Sequence, residues 1–145
     1  MKRLTTLLLL VMIFCGSAAL AANGVAIVKS VKGDVKVKRD GATTPLKPGS
    51  RLQNGDVIIT GGAGRVGVIF NDGSVLALKE NSFLRIKDFT FKPIEQQFNF
   101  DLFLKKGTAL FESGKIGKLS PKDFKFEIPK GTIGIRGTKF LVEVK

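Results

Sequence analysis

Side chains able to do covalent or acid–base chemistry are few in this 145-residue chain. It has no histidine, so it lacks the one side chain whose ordinary pKa suits a general base near neutral pH. Its single cysteine, Cys15, lies in an apolar N-terminal run. Ser74, Ser82 and Ser113 carry hydroxyls but have no imidazole to activate them, and no Ser-x-x-Lys stands out as a nucleophile motif. The remaining candidates are carboxylates. Asp72 with Glu80, or Asp88 with Asp101, would have to meet in space to act as the acid and base of glycoside hydrolysis. Each reads more simply as a turn residue or a solvated strand position, so the expectation is a non-enzymatic protein with no catalytic residue.

Metal and cofactor chemistry is equally sparse. Zinc prefers cysteine and histidine. The stretch Asn71-Asp72-Gly73-Ser74 lacks the alternating acidic spacing of a calcium loop and reads as a tight turn. Gly61-Gly62-Ala63-Gly64-Arg65 lacks the Gly-Lys-Ser/Thr ending of a phosphate-binding loop. Gly131 to Gly134 and Gly134 to Gly137 imitate the GxxG clamp of a KH domain, without its flanking helices. These glycines read as corners, and neither a metal nor a cofactor is expected.

Positive charge has more functional reach. The chain carries 24 Lys and Arg against 12 Asp and Glu. Two of the basic residues, Lys2 and Arg3, begin what reads as a secretory leader, so the remainder keeps a net charge of about +10. A field of that sign attracts anions. Lys36, Lys38, Arg85 and Lys87 fall on the polar faces of alternating strands and form a candidate anion-binding patch. Lys115, Lys118, Lys122, Lys125 and Lys130 line a second basic segment. The competing reading is a soluble surface that discourages edge-to-edge strand pairing.

The leader reading rests on Lys2-Arg3, the uncharged run from Leu4, and the small residues from Cys15 to Ala22. Cleavage is expected after Ala21, ahead of Ala22, with an uncleaved anchor as the lesser alternative. Export makes the expected partner an envelope protein or an anionic glycan or lipid rather than a nucleic acid, in the periplasm or outside the cell. The domain organisation is then a signal peptide over 1–21 and a single β domain over 22–145, with no transmembrane span after processing.

The elements that must carry these residues read as strands. Val35 and Val37 alternate with Lys36 and Lys38, and Val66, Val68 and Phe70 repeat the alternation. Leu76 and Leu78 follow the Asn71-Asp72-Gly73 turn. Phe89 and Phe91 are one step out of phase with Leu84 and Ile86, which predicts a bulge near Lys87 or Asp88. Further runs cover Phe98, Phe100, Leu102 and Leu104, then Phe124, Phe126 and Ile128, then Phe140, Val142 and Val144. The expected core contains Val66, Val68, Phe70, Leu76, Leu78, Phe98, Phe100, Leu102, Phe126, Phe140 and Val142. No segment shows a sustained helical period. The fold class is therefore all-β, a solenoid-like or sandwich-like stack of short strands with glycine-rich turns.

An ordered set of short motifs runs through this pattern. Gly33-Asp34-Val35-Lys36-Val37 is followed by Leu46-Lys47-Pro48-Gly49-Ser50-Arg51-Leu52 and Asn54-Gly55-Asp56-Val57-Ile58-Ile59-Thr60-Gly61. Asn71-Asp72-Gly73-Ser74, Glu80-Asn81-Ser82, Leu104-Lys105-Lys106-Gly107 and a closing Arg136-Gly137-Thr138 complete it. The set resembles the FecR domain family over roughly Val25 to Val144. The resemblance implies a β-rich periplasmic module. In the founding iron-dicitrate regulators that module sits beyond an inner-membrane helix and helps relay a signal from an outer-membrane receptor to a sigma factor. The sequence departs from that arrangement, with no cytoplasmic segment expected before its apolar run and no extra receptor-docking domain expected after it. The expected function is a stand-alone exported binding or scaffold module, and the alternative is an accessory of TonB-dependent receptor and sigma-factor signalling. Within the signature, Arg136 is the residue that would bind a ligand or, as the favoured reading, pin the turn before the last strand.

Overall fold

Alternation of apolar and polar side chains sets the strands, and turns built on Gly, Asn and Asp separate them. A computed structural model describes residues 24–135 and 139–145; the cleavage positions Ala21 and Ala22 and the signature residue Arg136 lie outside them. In chain order the strands are β1 (Ala26–Lys32), β2 (Val35–Arg39), β3 (Ala42–Pro45), β4 (Arg51–Leu52), β5 (Val57–Thr60) and β6 (Arg65–Phe70). They continue with β7 (Val75–Leu78), β8 (Phe83–Lys92), β9 (Gln97–Glu112), β10 (Phe124–Ile128), β11 (Gly131–Ile133) and β12 (Lys139–Val144). A one-turn helix, α1 (Lys115–Leu119), and a 3-10 turn at Pro121–Asp123 link β9 to β10. The fold is all-β.

The strands make one continuous sheet in the order β3-β2-β5-β8-β9-β7-β6-β1-β4. Strand β9 joins its two halves. The first part of β9 pairs with β8, and its last part pairs with β7. On its other side β9 takes β10 in parallel, with Phe124 opposite Phe100, and β12 antiparallel, with Phe140 opposite Phe111. Strand β11 extends the sheet beyond β10. Between the two parts lies Gly107, at φ +100°.

The two halves close over a phenylalanine core. Phe70 on β6 lies 5.3 Å from Phe89 on β8 and 4.7 Å from Phe100 on β9, ring centre to ring centre. Phe100 also meets Phe111 at 5.4 Å and Phe124 at 5.2 Å. Phe70, Phe100, Phe111 and Phe126 are all fully enclosed, each contributing about 2–3 kcal/mol through the water it sheds. The expected core positions Val66, Val68, Leu76, Leu78 and Leu102 are buried with them. The bulge expected near Lys87 is present: the β8–β9 register shifts between Ile86 and Asp88, which lets Ile86 and Phe89 both point inward.

Three expected core residues are only half-buried. Phe140 and Val142 point inward from β12, but β12 is an edge strand and the core ends beside it. Phe98 lies where β8 and β9 run on past the rest of the sheet, and it packs on Phe91 at 6.0 Å. The helix α1 also departs from the sequence expectation. It is too short to carry a periodic signal, and its first turn is organised by a distant carboxylate: Asp72 accepts from the Ile116 N–H at 3.2 Å.

Asp72 is one of two enclosed carboxylates that bind the fold together. It also accepts from the Ser74 N–H and hydroxyl at 3.0 and 2.8 Å. The Asn71-Asp72-Gly73-Ser74 turn thus directs its acidic oxygens at the protein's own donors. Asp56 is the second. It accepts two hydrogen bonds from Arg39, at 2.7 and 2.6 Å, and one from the Gln53 N–H at 2.8 Å. Removing it strands the Gln53 N–H and leaves a guanidinium that water can reach only in part. Asp56→Ala is therefore expected to cost about 2–3 kcal/mol in a urea melt, below the upper range for buried pairs because Arg39 is partly hydrated. Asp34→Ala, at the exposed Asp of the other Gly-Asp-Val triplet, is expected to stay within about 0.5 kcal/mol.

Candidate anion-binding face

Lys36 and Lys38 project from β2, and Arg85 and Lys87 from β8, with β5 between them. The register aligns them. Lys38 lies opposite Val57, which lies opposite Arg85; Lys36 lies opposite Ile59, which lies opposite Phe83. Strand partners share a face, so Lys36, Lys38 and Arg85 stand on the outer side of one sheet half. Two strand spacings put Lys38 and Arg85 on the order of 10 Å apart at the backbone. Val57, Ile59, Phe83 and Phe103 supply a half-buried apolar floor on the same side. The aliphatic stems of the cations can cover that floor while their heads stay in water.

The four cations differ in how they are held. Lys38 and Arg85 enter none of the ion pairs among the described residues. Lys36 reaches Asp34 at 3.3 Å, and both side chains remain well exposed. Lys87 lies between two carboxylates, 2.9 Å from Glu127 and 3.4 Å from Asp101. The hydrogen bond that Lys87 donates to Glu127, reinforced by the charge of Asp101, raises the Lys87 pKa above the ordinary lysine range. Lys87 therefore stays charged but is locally neutralised, and it adds little to an anion-attracting field. Lys105 joins the face instead, with its ammonium 5.4 Å from the centre of the Phe83 ring. Alternation along Phe98, Phe100, Leu102 and Leu104 already puts Lys105 on the outer side; what it cannot show is that β8 brings Phe83 beside it.

The second basic segment does not share one strand face. Lys115 and Lys118 are on α1, Lys122 is in the 3-10 turn, Lys125 is on β10 and Lys130 is in the turn after it. The paired-carboxylate candidates are also placed. Asp88 does lie opposite Asp101. Asp88 accepts from the amides of Asn54 at 3.1 Å and Asn99 at 2.6 Å, and Asp101 faces Lys87. Asp72 is enclosed, whereas Glu80 is a surface residue 3.4 Å from Arg65. No group of three or more metal-ligating side chains occurs among the described residues.

The family model for the FecR protein matches residues 56–145. The chain belongs to the FecR family. The folded FecR unit begins before that match, since β2 pairs with β5 and β1 with β6 in the same sheet. No curated protein matches this one. A solved structure described as a cell surface anchoring domain is similar at 29% identity, over 42% of this chain and 82% of its own, with a TM-score of 0.41. Superposition that loose carries no conclusion about role. No helix among the described residues is long and apolar enough to cross a membrane.

Proposed function

We propose that this FecR protein is an exported, non-enzymatic binding module of the cell envelope, cleaved from its leader near Ala21, that engages an anionic partner through the outer face of β2, β5 and β8. The observation that carries the reading is the row Lys38–Val57–Arg85, in which two unpaired cations flank an apolar residue on one sheet face. An anionic glycan or lipid head group, or an acidic protein, matches that chemistry: charge at the flanks and apolar contact between them. Family membership supports a place in the envelope.

Binding of the purified protein to anionic glycans and to vesicles containing acidic phospholipid tests the proposal. Affinity is expected to fall as salt rises, because exposed charges are screened over about 8 Å at physiological ionic strength. Lys38→Glu with Arg85→Glu is expected to weaken binding by roughly tenfold or more, since each cation near an anionic surface contributes about 1 kcal/mol and reversal adds repulsion. Lys87→Gln is expected to change it little, because that ammonium is already matched by Glu127 and Asp101. Binding that ignores both salt and the double reversal overturns the electrostatic reading.

Membership of the FecR family favours one further reading, an accessory role in cell-surface signalling. A sigma-factor or TonB-dependent receptor gene beside this one, with loss of the receptor's transcriptional response on deletion, would select it.

A further inference from the structure

Exposed sheet edges are a standing invitation to other strands, and the terminal strands among the described residues are mostly short or closed by proline. The path ends at β3, which closes with Pro45, and at β4, which is two residues long. On the far side of β10, β11 has three residues. Strand β12 is different: six residues, Lys139-Phe140-Leu141-Val142-Glu143-Val144, with no proline and with β9 as its single strand partner among the described residues. Leu141 is 57% exposed on its outer side. Phe140, Val142 and Val144 are only half-buried on its inner side, and an open cleft lies between Val144 and Ile128-Pro129.

The sequence of β12 is complementary to itself. Antiparallel pairing about a two-fold axis through Leu141 places Lys139 of each copy opposite Glu143 of the other, Leu141 opposite Leu141, and Phe140 opposite Val142. Charges attract twice, and each face meets its own kind. Neighbouring registers fail. Slipping one copy by a single residue sets core-facing residues against outward ones. Centring on Phe140 leaves Lys139 opposite Leu141, and centring on Val142 sets Lys139 against Lys145. Centring on Glu143 opposes two carboxylates. Lys139 has one contact on its own sheet, 3.7 Å from Glu112, and remains 56% exposed; Glu143 is in none of the ion pairs among the described residues.

We infer that β12 is the site of an isologous contact between two copies of this chain, antiparallel and centred on Leu141, which joins their sheets into one. The occupant is a second copy because the charge order of β12 is satisfied by its own reverse. This inference does not depend on the anion-binding reading, since the Lys38–Arg85 row is on another part of the sheet.

Sedimentation velocity of the purified protein over a range of concentrations tests it, with thermal melts to confirm that each variant is folded. The parent chain is expected to form a concentration-dependent dimer. Glu143→Lys alone and Lys139→Glu alone each turn two attractive pairs into two repulsive ones and are expected to weaken the dimer by roughly tenfold or more. Mixing those two variants restores both attractions, so a heterodimer is expected. Leu141→Lys, at an exposed position, is expected to leave the melt unchanged and the protein monomeric. A parent that remains monomeric at every concentration, a dimer indifferent to the single reversals, or folded variants that do not pair when mixed would overturn the inference.

Discussion

Phe100→Ala is expected to lower the melting temperature by roughly 10–20 °C, the loss of about 3–5 kcal/mol in a domain of this size. Phe100 is fully enclosed, and its ring meets four others, those of Phe70, Phe89, Phe111 and Phe124, at 4.7 to 5.4 Å. Those rings come from β6, β8, β9 and β10, so the void would open where both halves of the sheet converge. Neighbours held in separate strands cannot all move to fill it, which places the cost toward the upper part of the range. Phe98→Ala, two residues away on the same strand, is expected to cost clearly less, because that ring is already in contact with solvent. Thermal melts followed by circular dichroism measure both. A wild-type melt for Phe100→Ala would mean that the register of β9 is wrong.

Gly107→Ala is expected to be nearly as damaging, at roughly 3–5 kcal/mol, although it adds a single carbon. Two causes add. The backbone is at φ +100°, a region that L residues enter only under strain. The new Cβ would overlap the Ser82 hydroxyl and Cα. Ser82 cannot step aside cheaply. Its hydroxyl donates to the Lys79 carbonyl at 2.9 Å and accepts from the Thr108 N–H at 3.1 Å, and its own N–H donates to the Thr60 hydroxyl at 2.8 Å. These bonds hold β5, β7 and β9 together at the point where β9 passes from one half of the sheet to the other. Gly73→Ala separates the two causes: φ is +85° there but nothing lies within 4 Å, so strain alone is expected, about 1–2 kcal/mol. Urea melts of the two variants give the comparison. Equal costs would show that the contact with Ser82 contributes nothing.

The candidate face was partly legible beforehand. Alternation in Val35-Lys36-Val37-Lys38 and in Leu84-Arg85-Ile86-Lys87 placed those cations on polar faces. Only strand pairing could align the two runs on one face. Nothing local distinguishes Lys87, which meets Glu127 from 40 residues away, from Lys38, which meets no carboxylate among the described residues. The two Gly-Asp-Val triplets make the same point. Asp34 remains exposed, whereas Asp56 is enclosed, because Arg39 reaches Asp56 from a neighbouring strand. Identical tripeptides have identical local preferences, so the difference arises from contacts distant in sequence.

Sequence by itself determined the all-β class, the longer alternating strands, the bulge in β8, the centre of the core around Phe70 and Phe100 and the excess of positive charge, because period-2 alternation, turn chemistry and charge are local or additive properties. The order of strands, the passage of β9 between two halves of the sheet, the enclosure of Asp56 and Asp72, and the half-exposure of Phe98, Phe140 and Val142 were decided by the tertiary structure alone. Alternation states which side of a strand is apolar. It does not state which strand lies alongside or how far the opposing half extends, and those are what decide whether a side chain is covered and whether a charge is matched.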